Sequence, residues 1–232
     1  HRVYCDREDR AEQVISLDIS MLDDDIAGIA GAVLIIKDLT KELQLEDSLK
    51  ERQRYNKIIG KCQAFKKLYV MLDNLALFDS TVLIIGETGA GKDVFAETIH
   101  ESGPRYNKPY VKINCAALPD QLVENELFGH ARGAYTGAQQ DSKGLIAEAD
   151  GGTLFLDEIG DLSQSAQAKL LRFIESKEYQ RIGDPKTYSA DVRVIAATNA
   201  DLESKVANKS FRADLFYRLN VFKIAIPPLR ER

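Results

Sequence analysis

A glycine-rich loop that joins an apolar strand to a helix constrains the fold of this chain more than any other feature. Residues 86–92 read GETGAGK, directly after the strand-like run TVLII at 81–85 and directly before a predicted helix over 92–101. Glycines allow a tight turn in which backbone N–H groups converge on an anion, and the N-terminus of the following helix favours negative charge. The lysine adds a cation that can reach the β- and γ-phosphates of a nucleotide. The pattern predicts a phosphate-binding loop, and the flanking strand and helix weaken the alternative of a turn with a chance lysine.

Apolar strands alternate with helices through the rest of the chain. Predicted strands cover 110–114, 153–156, 192–197 and 221–226, and predicted helices cover 119–128 and 163–175. Such alternation is typical of a parallel sheet with helices on both faces, so we expect an α/β fold.

Two consecutive acids end one of these strands. The run TLFL at 153–156 is followed by Asp157 and Glu158, which places both carboxylates at the C-terminal edge of the sheet, where parallel sheets bind their ligands. Asp157 is the candidate ligand for Mg²⁺, and Glu158 is the candidate general base for an attacking water. Asp93 stands where the general phosphate-loop pattern has a Ser or Thr that binds Mg²⁺, so the metal depends more on Asp157. Two solvated acids at the start of a loop are the alternative.

Charge and composition exclude several classes of protein. The 31 Lys and Arg residues against 36 Asp and Glu residues give a net charge of −5, which disfavours nonspecific coating of DNA. No apolar run approaches the ~20 residues of a membrane helix, so we expect no membrane association. The three cysteines, Cys5, Cys62 and Cys115, lack metal-ligand spacing and are too few for a disulfide framework, which predicts reduced thiols in a cytoplasmic protein.

The first 57 residues differ from the rest. Residues 14–19 alternate in polarity as a half-buried strand does, 31–37 (GAVLIIK) form a second predicted strand, and the acidic stretch 21–28 between them is a predicted hairpin loop. Residues 38–57 are densely charged, lack Gly and Pro, and are a predicted linker helix. Two strands cannot bury a core alone, so 1–37 are expected to be the end of a domain whose first part lies outside this chain.

Further motifs, in a fixed order, carry a resemblance to one family. They are NCAA at 114–117, ELFGH at 126–130, GAYTGA at 133–138, GGTLFLDEIG at 151–160, RVIAATN at 193–199, FRADLFYRL at 211–219 and PPLRER at 227–232. With these motifs, segment 58–232 resembles the AAA+ P-loop ATPase domain of sigma-54-dependent transcriptional activators, the bacterial enhancer-binding proteins. GAYTGA is the most specific of them, and it differs from the family's GAFTGA only at Tyr135.

The resemblance implies a set of ATPase residues. The residues that would bind ATP and Mg²⁺ are Gly86, Glu87, Thr88, Gly89, Ala90, Gly91, Lys92, Asp93 and Asp157, with the metal on Asp157. The residues with implied catalytic roles are Glu158 as base, Asn114 as its restraint, Thr198 and Asn199 as sensors of the γ-phosphate, and Arg212 and Arg218 as arginine fingers that reach ATP on a neighbouring subunit. For the two arginines, surface salt bridges are the alternative.

The same resemblance assigns the loop 133–138 to partner binding. The loop would contact sigma-54 in the RNA polymerase holoenzyme as the ATP state changes, and it consists of Gly133, Ala134, Tyr135, Thr136, Gly137 and Ala138. Small residues allow close approach of the backbone, and Tyr135 supplies one aromatic anchor. Because the arginine fingers act between subunits, the resemblance also implies a homo-oligomer, with a hexameric ring as the expected form.

A second resemblance completes the division of the chain into domains. The run GAVLIIKDLT at 31–40, followed by a charged helix, resembles the C-terminal strand and exit helix of a PAS sensor domain. We therefore expect 1–37 to be the end of a PAS-like domain, 38–57 a linker helix and 58–232 the ATPase domain. The family's helical lid and its helix-turn-helix domain are expected to lie outside this chain, so enhancer DNA would be bound only through that further domain. Two other functions stay open: another AAA+ remodelling ATPase, which would lack GAYTGA, and a nucleotide-binding scaffold without turnover.

Overall fold

The fold was obtained as a computed structural model that describes residues 2–7, 10–24, 29–39, 58, 63–135 and 138–231. The chain divides into two compact units, His1–Asn56 and Lys57–Arg232. Beyond Leu39, the predicted linker helix 38–57 lies outside the described residues.

The N-terminal unit contains a three-stranded antiparallel sheet of β1 (Arg2–Arg7), β2 (Arg10–Asp24) and β3 (Ile29–Asp38), with β2 in the centre. The sequence pattern predicts parts of β2 and β3 but not β1. The predicted loop 21–28 is wrong in its first half, because β2 continues to Asp24, which pairs with Ile29 on β3. Its second half, 25–28, lies outside the described residues. The long antiparallel ladder pairs the backbone of 21–24, and this outweighs the turn preference of consecutive aspartates.

A five-stranded parallel sheet forms the centre of the C-terminal unit. Its strands are β4 (Val82–Ile85), β5 (Tyr110–Asn114), β6 (Thr153–Asp157), β9 (Arg193–Thr198) and β10 (Phe222–Ala225). They lie in the order β10-β4-β9-β6-β5, and every neighbouring pair is parallel. The C-terminal ends of all five strands therefore meet at one edge of the sheet, and the predicted α/β class is confirmed.

Seven helices accompany this sheet in the described part of the chain. They are α1 (Gln63–Ala76), α2 (Lys92–Glu101), α3 (Asp120–Phe128), α4 (Leu145–Glu148), α5 (Gln164–Ser176), α6 (Leu202–Ala207) and α7 (Ala213–Leu219). Short 3-10 turns cover Ile159–Asp161 and Leu229–Glu231. The predicted helices at 92–101, 119–128 and 163–175 are present, with bounds that shift by at most one residue.

Alternating residues of the strands bury against helices on the two faces of the sheet. On one face, Leu83 of β4 belongs to a core cluster that includes Leu127 of α3, Leu170 of α5 and Leu215 of α7. The next residue along the strand, Ile84, is also fully buried, and α2 packs against β4, β6 and β9. Burial on both faces explains why the strands read as continuous apolar runs.

A short hairpin of β7 (Glu178–Gln180) and β8 (Thr187–Ser189) lies between α5 and β9. The sequence pattern does not predict it, because three-residue strands leave almost no periodicity. None of the helices within 63–135 and 138–231 combines the length and the apolar composition that a bilayer crossing needs.

Candidate functional site

The glycine-rich loop has the conformation that an anion site requires. Gly89 and Gly91 have φ values of +79° and +77°, in the left-handed region that glycine adopts without strain. A Cβ on Gly89 would meet no atom within 4 Å, so this part of the loop is open. Gly86 N donates to Thr198 O at 3.2 Å and anchors the loop to the end of β9. The loop then enters the N-terminus of α2, the positive end of the helix dipole.

Lys92, the first residue of α2, is the cation of this loop. Its side chain is 6% exposed, and Nζ donates to Gly86 O at 3.2 Å and to Glu158 Oε1 at 3.1 Å. A buried ammonium needs a negative partner, and the ion pair supplies one. The predicted phosphate-binding lysine and the predicted base are thus in direct contact, although 66 positions separate them in the sequence.

The candidate base Glu158 is held from three sides. Besides the contact of Oε1 with Lys92, Oε2 accepts a hydrogen bond from Asn199 N at 3.0 Å. The N–H of Glu158 donates to Asp157 Oδ1 at 3.0 Å. The backbone of Glu158 lies in the left-handed region, with φ and ψ both 50°, which costs a non-glycine residue on the order of 1 kcal/mol. The surrounding contacts therefore hold a strained residue in place.

Asn114 lies beside Asp157, the last residue of the neighbouring strand. Asn114 Nδ2 donates to Asp157 Oδ2 at 3.3 Å, and its Oδ1 accepts from Ala116 N at 2.9 Å. Asn114 and Asp157 face each other in the β5–β6 register, which explains the contact. This contact differs from the one that the resemblance implies, in which Asn114 restrains Glu158.

The carboxylates of Asp157 and Glu158 lie close together at the end of β6. Burial, and then the negative charge of Glu158, raise the pKa of Asp157 above its ordinary value. A bound cation would relieve this repulsion, because an opposite charge favours the ionised carboxylate. Within the described residues, no group of three or more His, Cys, Asp or Glu side chains is arranged as a metal site, so a cation here would need phosphate oxygens and water to complete its ligands.

The two predicted sensor residues connect the candidate base Glu158 with the glycine-rich loop. Asn199 Nδ2 donates to Thr88 Oγ1 at 2.8 Å, while the backbone of the same residue binds Glu158. Thr198 is fully buried, and its Oγ1 accepts from Ala200 N at 3.0 Å. The end of β9 thus contacts both the glycine-rich loop and Glu158.

The two candidate arginine fingers stand at the ends of α7 and engage acids of their own chain. Arg212 forms a bidentate pair with Asp214, at 3.0 and 2.6 Å, and Arg218 Nη2 lies 3.6 Å from Glu175 Oε1. The arginine side chains are 41% and 51% exposed. Exposed pairs of this kind contribute little to stability because water screens them, so both arginines can leave these acids for another partner at low cost.

The described residues of the GAYTGA segment form a compact loop with an exposed ring. Gly133 N donates to Ala138 O at 2.9 Å, Ala138 N donates to Tyr135 O at 3.0 Å, and Ala134 N donates to Ala131 O at 3.1 Å. Ala138 is buried, whereas the side chain of Tyr135 is 41% exposed. The two other residues of the loop lie outside the described part of the chain: Thr136 and Gly137.

The base of this loop is built from close backbone contacts. Gly129 has a φ of +75°, and a Cβ there would lie 2.3 Å from Ser142 O, so only glycine is compatible with this approach. Ala131 N donates to Ile182 O and Ile182 N donates to Gly129 O, both at 2.9 Å, which joins the loop to the turn of the β7–β8 hairpin. The ring of His130 meets that of Tyr135 edge-on, with centroids 5.1 Å apart.

Sequence reasoning missed one contact to the glycine-rich loop. Arg230 forms a bidentate pair with Glu87 at 2.8 Å for both bonds, and Ile226 N donates to Ile85 O at 2.8 Å. The segment after β10 therefore runs beside the loop. The motif PPLRER marks this segment in the sequence, but nothing in the motif shows which acid its arginine contacts.

The side chains and backbone groups at this edge of the sheet match the groups of a nucleoside triphosphate. The glycine-rich loop, the N-terminus of α2 and Lys92 suit phosphate oxygens, and Asp157 suits a divalent cation that also binds phosphate. Asp93, a further predicted cofactor residue, is exposed on the first turn of α2.

Comparison with known proteins identifies relatives of this chain. Residues 58–225 match the family model described as the sigma-54 interaction domain. The chain is 51% identical over 177 residues to the Nif-specific regulatory protein of Azotobacter vinelandii, which covers 76% of this chain and 34% of the relative. It is 52% identical over 210 residues to the DNA-binding transcriptional activator HyfR of Escherichia coli, covering 88% of this chain and 31% of the relative. The chain thus spans about a third of the length of these two relatives.

Solved structures show the same fold. A crystal structure of NtrX from Brucella abortus in complex with ATP superposes with a TM-score of 0.70 at 34% identity, over 82% of this chain and 42% of that one. A structure of the same protein in complex with ADP gives a TM-score of 0.68 at 34% identity, over the same shares.

Proposed function

This chain belongs to the sigma-54 interaction domain family, and on that premise we propose that it is the ATP-hydrolysing module of a transcriptional activator that remodels RNA polymerase holoenzyme containing sigma-54. The observation that carries the proposal is the meeting of Lys92, Glu158 and Asn199 beside the glycine-rich loop. These candidate phosphate-binding, base and sensor residues follow β4, β6 and β9, and they meet at one edge of the sheet. The structures of NtrX in complex with ATP and in complex with ADP support nucleotide binding by this fold.

In the proposed reaction, the loop 86–92 binds the phosphates of ATP through backbone N–H groups and Lys92. Mg²⁺, held on Asp157, would neutralise charge on the β- and γ-phosphate oxygens. As Lys92 turns to the phosphates, it gives up its ion pair with Glu158. The freed carboxylate is then available to accept the proton of the attacking water.

Hydrolysis in this proposal requires a neighbouring copy of the chain. Arg212 and Arg218 are exposed at the ends of α7 and pair with surface acids, so they can exchange these acids for a phosphate on another subunit. A cation delivered across an interface stabilises charge in the transition state. We therefore propose a homo-oligomer, with a hexameric ring as its form, in the cytoplasm, where RNA polymerase works.

In this proposal, the loop that carries Tyr135 contacts sigma-54 as the ATP state changes. An exposed aromatic ring on a rigid base, with small neighbours, suits a compact protein contact. The rest of the activator lies outside this chain in the proposal. The sheet of β1–β3 would be the end of a PAS-like sensor domain, 38–57 the linker, and 58–232 the ATPase domain. DNA would be bound through a further domain.

Substitution of Tyr135 tests the proposed output in the full-length protein. Tyr135→Ala should leave ATP hydrolysis near the wild-type rate but abolish the complex with sigma-54 that is trapped with ADP–aluminium fluoride. Loss of an aromatic hot spot costs about 2–4 kcal/mol, which removes most complex at micromolar concentrations. Tyr135→Phe is the matched control and should bind normally. Parallel loss of thermal stability, hydrolysis and binding in Tyr135→Ala would show that Tyr135 is a packing residue instead.

A further inference from the structure

We propose that Lys205 is a positioning residue for ATP hydrolysis: it holds the turn that carries Glu158 and ties this turn to the segment that ends at Arg212. The inference rests on the proposed function and adds a residue to it. Lys205 lies on α6, between the motifs at 193–199 and 211–219, and belongs to neither.

The turn after Glu158 needs support from outside. Glu158 is left-handed, and the 3-10 turn Ile159–Asp161 follows it at once. A non-glycine residue keeps such a conformation only where its surroundings fix it. Packing supplies part of this, since a Cβ on Gly160 would lie 3.3 Å from Thr198 Oγ1 and from Leu202 Cδ2. The turn is therefore pressed against the end of β9 and the start of α6.

The side chain of Lys205 supplies the polar part of the support. Its Nζ donates to Gly160 O at 2.8 Å and to Asp161 Oδ1 at 3.0 Å. The side chain of Lys205 is 32% exposed, so these charge-assisted bonds are partly shielded from water. The lysine therefore anchors two of the three residues that follow Glu158.

The backbone of Lys205 holds a second segment. Its carbonyl oxygen accepts hydrogen bonds from Ser210 N at 2.9 Å and from Phe211 N at 3.0 Å. Phe211 is 1% exposed and directly precedes Arg212. One residue thus contacts the turn of the base through its side chain and the approach to Arg212 through its carbonyl.

Gln167 bridges the same two segments independently. This residue of α5 is fully buried, and its Nε2 donates to Leu162 O at 2.8 Å and to Ser210 O at 3.1 Å. Its Oε1 accepts from Arg212 N at 2.8 Å. Because Lys205 and Gln167 both join these two segments, a shift of the Glu158 turn is transmitted to the segment that presents Arg212 to the neighbouring subunit.

The test compares Lys205→Met, Lys205→Arg and Lys223→Met in the full-length protein. Lys223 on β10 places its Nζ 3.7 Å from Oε1 of Glu203, which lies on α6 as Lys205 does. Replacing Lys223 therefore removes an ion pair of α6 but no contact with the turn after Glu158. Steady-state ATP hydrolysis is measured at protein concentrations where specific activity is constant, together with affinity for a fluorescent ADP analogue and thermal unfolding. Lys205→Met should lower kcat about tenfold while KM and ADP affinity stay within about twofold, because the base is misplaced but the phosphate loop is intact.

The expected pattern includes rescue and an unaffected control. Lys205→Arg, which keeps the charge, should recover most of kcat, and Lys223→Met should match the wild type. Equal kcat in Lys205→Met and Lys223→Met would overturn the inference, as would losses of kcat and ADP affinity in parallel. If Lys205→Met does not fold, Asp161→Asn takes its place, with an expected kcat loss of about twofold at unchanged KM; an unchanged kcat there overturns the inference. Absence of hydrolysis by the wild-type protein would refute the proposed function itself, a different outcome.

Discussion

Arg105 ties together the loops at the edge of the sheet opposite the candidate site, and its removal should cost measurable stability. Its guanidinium forms a bidentate pair with Asp79, at 3.0 and 2.6 Å, and also contacts both carboxylate oxygens of Asp191, at 3.1 and 3.0 Å. Nη1 donates to Gly152 O and Asp191 O, at 3.1 and 2.8 Å. These contacts join the residues that precede β4, β6 and β9.

The stability that Arg105→Ala loses depends on how exposed the acidic partners of Arg105 are. The side chain of Arg105 is 12% exposed, but the two carboxylates are 55% and 70% exposed, so each ion pair contributes about 1 kcal/mol at most. Both carbonyl oxygens also accept a backbone hydrogen bond, Gly152 O from Arg193 N and Asp191 O from Gly151 N. Replacing Arg105 by alanine therefore leaves neither oxygen without a donor. Lost packing of the buried alkyl chain adds to the effect. We expect Arg105→Ala to lower the free energy of unfolding by about 2 kcal/mol.

Urea and thermal unfolding measure this loss against a matched arginine. A change of about 2 kcal/mol corresponds to a Tm lower by roughly 4–8 °C for a unit of this size. Arg218→Ala removes a single exposed pair at 3.6 Å and should cost under about 0.5 kcal/mol. Arg105→Lys keeps the positive charge but loses the bidentate geometry of the guanidinium. It should therefore recover less than half of the lost free energy of unfolding. Equal stability of Arg105→Ala and Arg218→Ala would refute the reasoning.

Two further predictions concern the same arginines. The hydrogen bond from Arg105 holds the pKa of Asp79 below its ordinary value, so the stabilisation is present above the unfolded pKa of about 4 and is lost as pH falls through the folded pKa. The stability difference between wild type and Arg105→Ala should therefore shrink below about pH 4 in urea titrations, and a constant difference would contradict this assignment. Arg218→Ala should lower ATP hydrolysis without weakening nucleotide binding. Mixing it with an Asp157→Asn variant should restore part of the activity, because the first variant keeps Asp157 and the second keeps Arg218. No recovery at any mixing ratio would exclude a site shared between subunits.

Local sequence patterns predicted the elements that carry the site. The glycine-rich loop, α2 and the end of β6 follow from runs of fewer than twenty residues, since strand, turn and helix signals are adjacent there. The position of Lys92 against Glu158 depends on the order of β4, β9 and β6 in the sheet, which no local pattern contains. The contact of Asn114 with Asp157 depends in the same way on the β5–β6 register.

Features made of short or distant segments could not be predicted. The β7–β8 hairpin has three residues in each strand, too few for a period, and it is held by packing such as that of Tyr179 on Phe173. The pair of Arg230 with Glu87 joins residues 143 positions apart, and the contacts of Lys205 depend on a turn whose strain is visible only in the backbone angles. Side chains that join separate loops leave no periodic signal in the sequence.

Turnover by a Glu158→Gln variant tests the central claim, that this edge of the sheet hydrolyses ATP with Glu158 as base. The amide cannot accept the water's proton, so phosphate release in the full-length protein should fall by about 10²–10⁴-fold. Binding of a fluorescent ADP analogue should stay within about threefold of wild type, because phosphate oxygens replace the carboxylate as partner of Lys92. Glu203→Gln, an exposed acid paired with Lys223, is the control and should hydrolyse ATP normally. Unchanged phosphate release by Glu158→Gln would contradict the account.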